Sequence, residues 1–216
     1  MLTDIEYIKT RPFVFVEAPL QEVEEAYRPW VFDIAETWSI STRHAATFER
    51  QCLSGVLSTY DRATLGFGTS PEASVLFEPR PGWTAHIDNA PGSGSADAFL
   101  GVMCERLHAR GLFVYDQDFP TGSVGPAYQV NIFGNRGESL DYIHRGRDGK
   151  HWDLLEPKQG GVIRGMSFGL SAKKLDSVGV GQIMRGWGLD WQPSLHAEEP
   201  VSGVVYETRR PPLKPR

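Results

Sequence analysis

Apolar and polar residues alternate between two rhythms along this chain, and the rhythms locate most of its elements. Phe13 to Val16 (FVFV) is a short apolar run that predicts a buried strand, closed by Ala18-Pro19. Leu20 to Tyr27 then places apolar residues at 20, 23, 26 and 27, one face of a helix. Pro29 is expected to stop or kink that helix near Arg28, because proline lacks the N–H that the next turn needs. Trp30 to Trp38 fits either a helix or a strand. Signals from Ser39 to Thr69 are weak, with a helix or a strand pair expected within Phe48 to Tyr60.

The second half is clearer. Ser74 to Phe77 and Trp83 to Ile87 flank Arg80-Pro81-Gly82 and predict a hairpin, since proline fixes φ and glycine permits φ > 0. Ser95 to Arg110 predicts a helix with Ser95 as N-cap, Asp97 in the first turn and Gly111 as the terminating glycine. Leu112 to Tyr115 is the next strand. Tyr128 to Phe133, a turn at Asn135-Arg136-Gly137, and Ser139 to His144 extend into a meander. Asp148-Gly149 is a two-residue hairpin signal. As the turn centre it would pair Arg147 with Lys150, Arg145 with Trp152 and His144 with Asp153. Gly160 to Gly169 reads as loop, and Ser171 to Leu189 as a last helix weakened by glycines.

The expected fold is α+β: a largely antiparallel or mixed sheet with helices packed on one side, and a C-terminal β-meander followed by a helix. Residues 1–208 form a single domain, divisible into halves 1–73 and 74–192. Residues 209–216, basic and proline-rich, are a disordered tail.

Composition narrows the function classes. The chain has 216 residues, 40% hydrophobic and 23% charged, enough to bury a core without metal or disulfide staples. A formal charge of −5 argues against nucleic acid as a partner, which would demand a basic face. It favours a basic protein or a small molecule instead. Two cysteines, Cys52 and Cys104, make no disulfide framework, and MLTDIEYIKTRP lacks the apolar centre of a signal peptide. No apolar run is long enough to span a bilayer. The expected location is cytoplasmic, with reduced thiols, no membrane partner and no cofactor.

Candidate chemistry is sparse. His86 and Asp88 stand two apart and would share one strand face. His144, His151 and Asp153 would gather on one face of the hairpin, and the two sets together supply metal or catalytic candidates. Pro91 to Asp97 resembles a phosphate cradle but lacks the P-loop lysine and the dinucleotide glycine spacing. Cys104 with His108 at i+4 could pair on a helix, yet Cys104 sits in an apolar stripe. For a partner surface, the acidic residues Glu22, Glu24, Glu25, Asp116 and Asp118 are candidates, with Trp191 as an aromatic anchor.

GWTAHIDN, HARGLFVY, YQVNIFG and YIHRGRDGKHWDL, in this order, resemble a group of uncharacterised bacterial proteins with a G-W-T-A-aromatic-x-D-N segment. Those proteins continue with a helix, a strand, an x-F-x-L-F-G strand and a D-G-x-x-W hairpin. The resemblance covers roughly residues 75–190, and FVFVEAPL echoes it in the first third. Here His86 takes the aromatic position, and Gln129–Gly134 departs from the phenylalanine-rich strand. The group is similar to bacterial immunity proteins. That likeness implies a cytosolic, non-catalytic antitoxin-like inhibitor whose partner is a cognate toxin with a basic surface. The rival expectations are a hydrolase or transferase working through the His/Asp residues, and a structural subunit of a larger assembly.

Overall fold

The computed structural model describes residues 12–37, 40–61, 72–88, 94–117, 124–148, 151–166, 170–189 and 199–209. Nine strands form one sheet in the order β2-β9-β3-β4-β1-β5-β6-β7-β8. They are β1 (Phe13–Val16), β2 (Ser41–Cys52), β3 (Glu72–Arg80), β4 (Trp83–Asp88), β5 (Gly111–Gln117), β6 (Val124–Phe133), β7 (Ser139–Asp148), β8 (His151–Leu155) and β9 (Pro200–Arg209). Every pairing is antiparallel. The helices are α1 (Leu20–Thr37), α2 (Leu53–Asp61), α3 (Gly94–Leu107), α4 (Val162–Met166) and α5 (Ser177–Gly186), with a 3-10 turn at Ala172–Lys174. Among the described residues no helix is long and apolar enough to cross a membrane.

The helices cover both faces of the sheet, where the sequence reading placed them on one. Phe13 and Phe15 join a core with Val75, Phe77, Leu112 and Val114, roofed by Leu53 and Val56 of α2, Ile163 of α4, and Val180, Ile183 and Met184 of α5. Val14 and Val16 point the other way and join Leu76 and Phe113 beneath Val23, Tyr27 and Val31 of α1 and Phe99, Leu100 and Met103 of α3. FVFV and LFVY are apolar at successive positions because each strand is buried on both sides, as continuous apolar runs require.

α1 does not stop at Arg28. It runs to Thr37 with Pro29 inside, burying Val23, Tyr27, Val31 and Ala35 at four-residue intervals. Pro29 lies on the exposed side, where the carbonyl that loses its donor faces water, and packing of the other face carries the helix onward.

α3 forms as expected but ends differently. His108 adopts φ 50°, and the Ala109 N–H reaches back to the Cys104 carbonyl at 3.1 Å, so the reversal falls on His108. Gly111 starts β5 instead. A Cβ there would stand 2.4 Å from Leu100 Cδ1 and 2.7 Å from Cys104 Sγ, so its glycine serves close helix–sheet approach.

The β7–β8 hairpin forms two residues out of the expected register. Arg147 faces Trp152, Gly146 faces Asp153 and Asp148 faces His151. The expected turn residue Gly149, with Lys150, lies outside the described residues. The expected last helix is split into the 3-10 turn and α5, capped by Asp176 accepting from Gly179 N–H. Part of the expected loop at Gly160 to Gly169 is α4. β9 had no forecast: it returns to pair with β2 and β3. The expected tail lies outside the described residues beyond Arg209.

Candidate functional site

Buried polar side chains mark where this protein bears a cost for something other than packing. Those among the described residues are Thr84, His86, Asp88, Gln117 and Asp141. Two have plain structural duties. Thr84 donates to the Ala18 carbonyl at 2.9 Å. Asp141 accepts from the backbone N–H groups of Tyr142, Lys158 and Ile163, fastening the segment after β8 to the sheet. The remaining three stand on the α1/α3 face, toward the same end of the sheet.

Register explains how they gather. His44 pairs with Tyr206, Tyr206 with Ser74, and Ser74 with Asp88, giving a polar row across β2, β9, β3 and β4. Beyond the start of β1 the row continues through Tyr115, Gln129 and His144 on β5, β6 and β7. Sequence reasoning found His86 and Asp88 from spacing on one strand and His144 from the expected hairpin pairing. It missed Ser74, Tyr27 and Tyr206, because Tyr206 aligns with Ser74 from 132 positions away and Tyr27 arrives from a helix, neither of which leaves a local signal.

His86 lies one step inward from this row, 3% exposed. Its ring stacks on Phe99 at 4.2 Å and 17°, with Tyr27 tilted beside it at 6.1 Å. Among the described residues neither ring nitrogen has a hydrogen-bond partner, and burial pushes its pKa down to about 3. The imidazole is thus neutral, enclosed and a weak base. Burial raises the Tyr27 phenol far above its ordinary range; Asp88 and Tyr206 add to this, and a hydrogen bond with Ser74 opposes it. The Tyr206 hydroxyl donates to Glu24 Oε1 at 2.9 Å and accepts from Arg28 Nε at 3.3 Å. Its pKa rises, chiefly through burial.

The hairpin residues form a separate group. His144 Nε2 stands 3.8 Å from Asp153 Oδ2, and desolvation lowers its pKa against the opposing pull of Asp153. His151 is exposed and pairs with Asp148. Three strands separate β4 from β7, a span of about 19 Å at ordinary strand spacing, so His86 and Asp88 do not meet this group. Among the described residues no three His, Cys, Asp or Glu side chains are grouped to hold a metal. Cys104 is fully buried and its thiol is pushed up to about 12, while His108 turns outward beyond the helix end.

The acidic candidates divide. Glu22 and Glu25 are exposed on α1, in one stripe with Phe32 (40% exposed), Asp33 and Glu36. Glu24 instead turns to Arg28 and Tyr206. Asp116 is half-buried, accepting from the Ser177 hydroxyl. Asp118 and Trp191 lie outside the described residues. Glu22 also lines an open groove of about 540 Å³, shared with Glu17, Glu138, His108, Arg110 and Leu140. There Arg110 is held by Glu17 at 2.7 Å.

The fold and these sites define an antiparallel α+β domain with helices on both faces, a polar row buried at Asp88 and Tyr206, and an acidic outer helix. No protein-family model, curated protein or solved structure matches the chain.

Proposed function

We propose that this chain is a non-catalytic binding protein, an immunity- or antitoxin-like inhibitor that covers a basic surface of a toxin. The observation that carries the reading is the outer stripe of α1. Glu22, Glu25, Asp33 and Glu36 lie along the stripe that exposes Phe32, and Glu22 continues the stripe into the groove beside α3. Carboxylates in such an array speed encounter with a basic partner, and one exposed aromatic supplies an anchor. The buried His86 and the distant His144–Asp153 pair offer a reaction no joint pocket.

The test is affinity capture with the native protein and with a variant carrying Glu22→Lys, Glu25→Lys and Phe32→Ala, from cells that make it. A basic partner is expected at one-to-one ratio with the native protein and not with the variant. That partner should be toxic alone and neutralised by co-expression. Equal capture by both proteins, or none by either, counts against the reading. Stoichiometric zinc or iron in untagged protein, lost on His144→Ala, would move the assignment to a hydrolase or transferase.

A further inference from the structure

The two edges of the sheet are finished differently. β2 pairs with β9 through register breaks between His44 and Ala46 and between Phe48 and Gln51, and Arg50 adopts φ 49°. Such irregularities protect an edge from accepting another strand. β8, at the other edge among the described residues, runs through five consecutive pairs with β7 without a break and contains no proline. Four of its five side chains are exposed, Trp152 at 42% and Leu155 at 46%. A regular edge with exposed apolar side chains is what native sheets ordinarily avoid unless a partner completes it.

Charge tells what kind of partner fits. The Arg145 guanidinium lies 4.2 Å from the Trp152 ring centre and that of Arg147 lies 5.8 Å away. Arg145 is fixed by donating to the Leu175 carbonyl at 2.9 Å. The 3-10 turn packs on β7 and β8 and exposes Lys173 and Lys174. Of the nearby acids, Glu156 accepts from Ala172 N–H and Asp176 caps α5, while Asp153 of β8 lies on the face opposite Trp152, 3.8 Å from His144.

We propose that the outer edge of β8 takes up an extended acidic segment of a partner protein as a tenth strand. Its backbone would complete the β8 ladder, its carboxylates would face Lys173 and Lys174, and an apolar side chain would lie on Trp152. A second copy of this chain would bring the same cations against one another, so a chain of opposite charge is the better fit. This surface is distinct from the outer stripe of α1. Trp152 stands on the α4/α5 face, and the charge it favours is the reverse.

The experiment titrates isotopically labelled full-length protein with a short peptide Glu-Thr-Val-Thr-Glu, whose carboxylates and valine share one strand face, following backbone amide resonances. Saturable shifts at Trp152 and Leu154 are expected, weakening with added salt. The variant with Lys173→Glu and Lys174→Glu should bind roughly tenfold more weakly, a change of about 1.4 kcal/mol. The same peptide with lysine for glutamate, or with alternate amides N-methylated, should fail to shift β8. Equal binding of the lysine peptide, retained binding of the N-methylated peptide, or shifts confined to other elements would overturn the proposal. So would concentration-dependent self-association that Trp152→Ala abolishes, because the occupant would then be a second copy.

Discussion

His86 is a histidine folded without its proton. Its pKa of about 3 lies below the ordinary 6.5, so the unfolded chain binds a proton that the folded chain refuses. Stability is therefore whole above pH 6.5 and drains away as the pH falls from there toward 3. Between pH 6.5 and 4.5 the loss through this residue is about 2.5 kcal/mol, since each tenfold difference in proton affinity is worth 1.36 kcal/mol. Other titrating groups also contribute, so the comparison is with His86→Phe, which keeps the stacking on Phe99 and removes the titration. Urea unfolding at pH 7 and at pH 4.5 should show the variant losing less stability than the native chain by that amount. Parallel losses would mean that water or a partner group solvates His86 in the folded protein. The spacing of His86 and Asp88 already marked them as sharing a face. Their burial was not legible, because it depends on Tyr27 and Phe99 arriving from two different helices.

Elements with a local signal were the readable ones. The β3–β4 hairpin has Pro81-Gly82 at its turn, and α3 has a helical stripe bounded by polar residues, so neither needs distant information. β2 buries only Phe48 among its twelve residues and shows no alternation, so its place rests on β9 and not on its own pattern. α1 was read as stopping or kinking near Arg28 because the cost of an interior proline was not weighed against four buried side chains on the opposite face. That cost is testable. Pro29 is exposed, so Pro29→Ala removes almost no packing and restores a donor for the Glu25 carbonyl. Allowing for greater freedom of the unfolded chain, a gain of about 1–2 kcal/mol in urea unfolding is expected. A loss would indicate that Pro29 shapes α1 so as to keep Tyr27 against His86. Asp141 gives the opposite case. Asp141→Asn keeps the shape but turns an amide donor toward one of three backbone N–H groups, costing about 2–4 kcal/mol. Limited proteolysis should then open the 156–166 segment before the sheet; unchanged protection would show that α4 is held by Ile163 alone.

At the scale of the whole molecule, the last element closes the sheet. β9 comes after every other strand in the chain yet lies between β2 and β3. It contributes to both cores, Val201 and Val205 on one face and Val204 and Tyr206 on the other. Its middle is fitted too tightly for a side chain: a Cβ at Gly203 would stand 2.2 Å from the Leu76 carbonyl oxygen. Fully burying a large apolar side chain is worth about 1.5–3 kcal/mol. Four such residues, with two ladders of hydrogen bonds, therefore rival the roughly 5–15 kcal/mol by which a domain is stable. Because these contacts span most of the chain, they also form late, after long loops have closed. A chain ended at Glu199 is expected to lose its cooperative urea transition and to expose apolar surface to a fluorescent dye. A separate peptide of residues 200–216, added in excess, should restore the transition by supplying the missing strand. If the shortened chain unfolds cooperatively within about 1 kcal/mol of the full one, β2 and β3 must close the sheet without β9, and the order of strands assigned to that edge cannot hold.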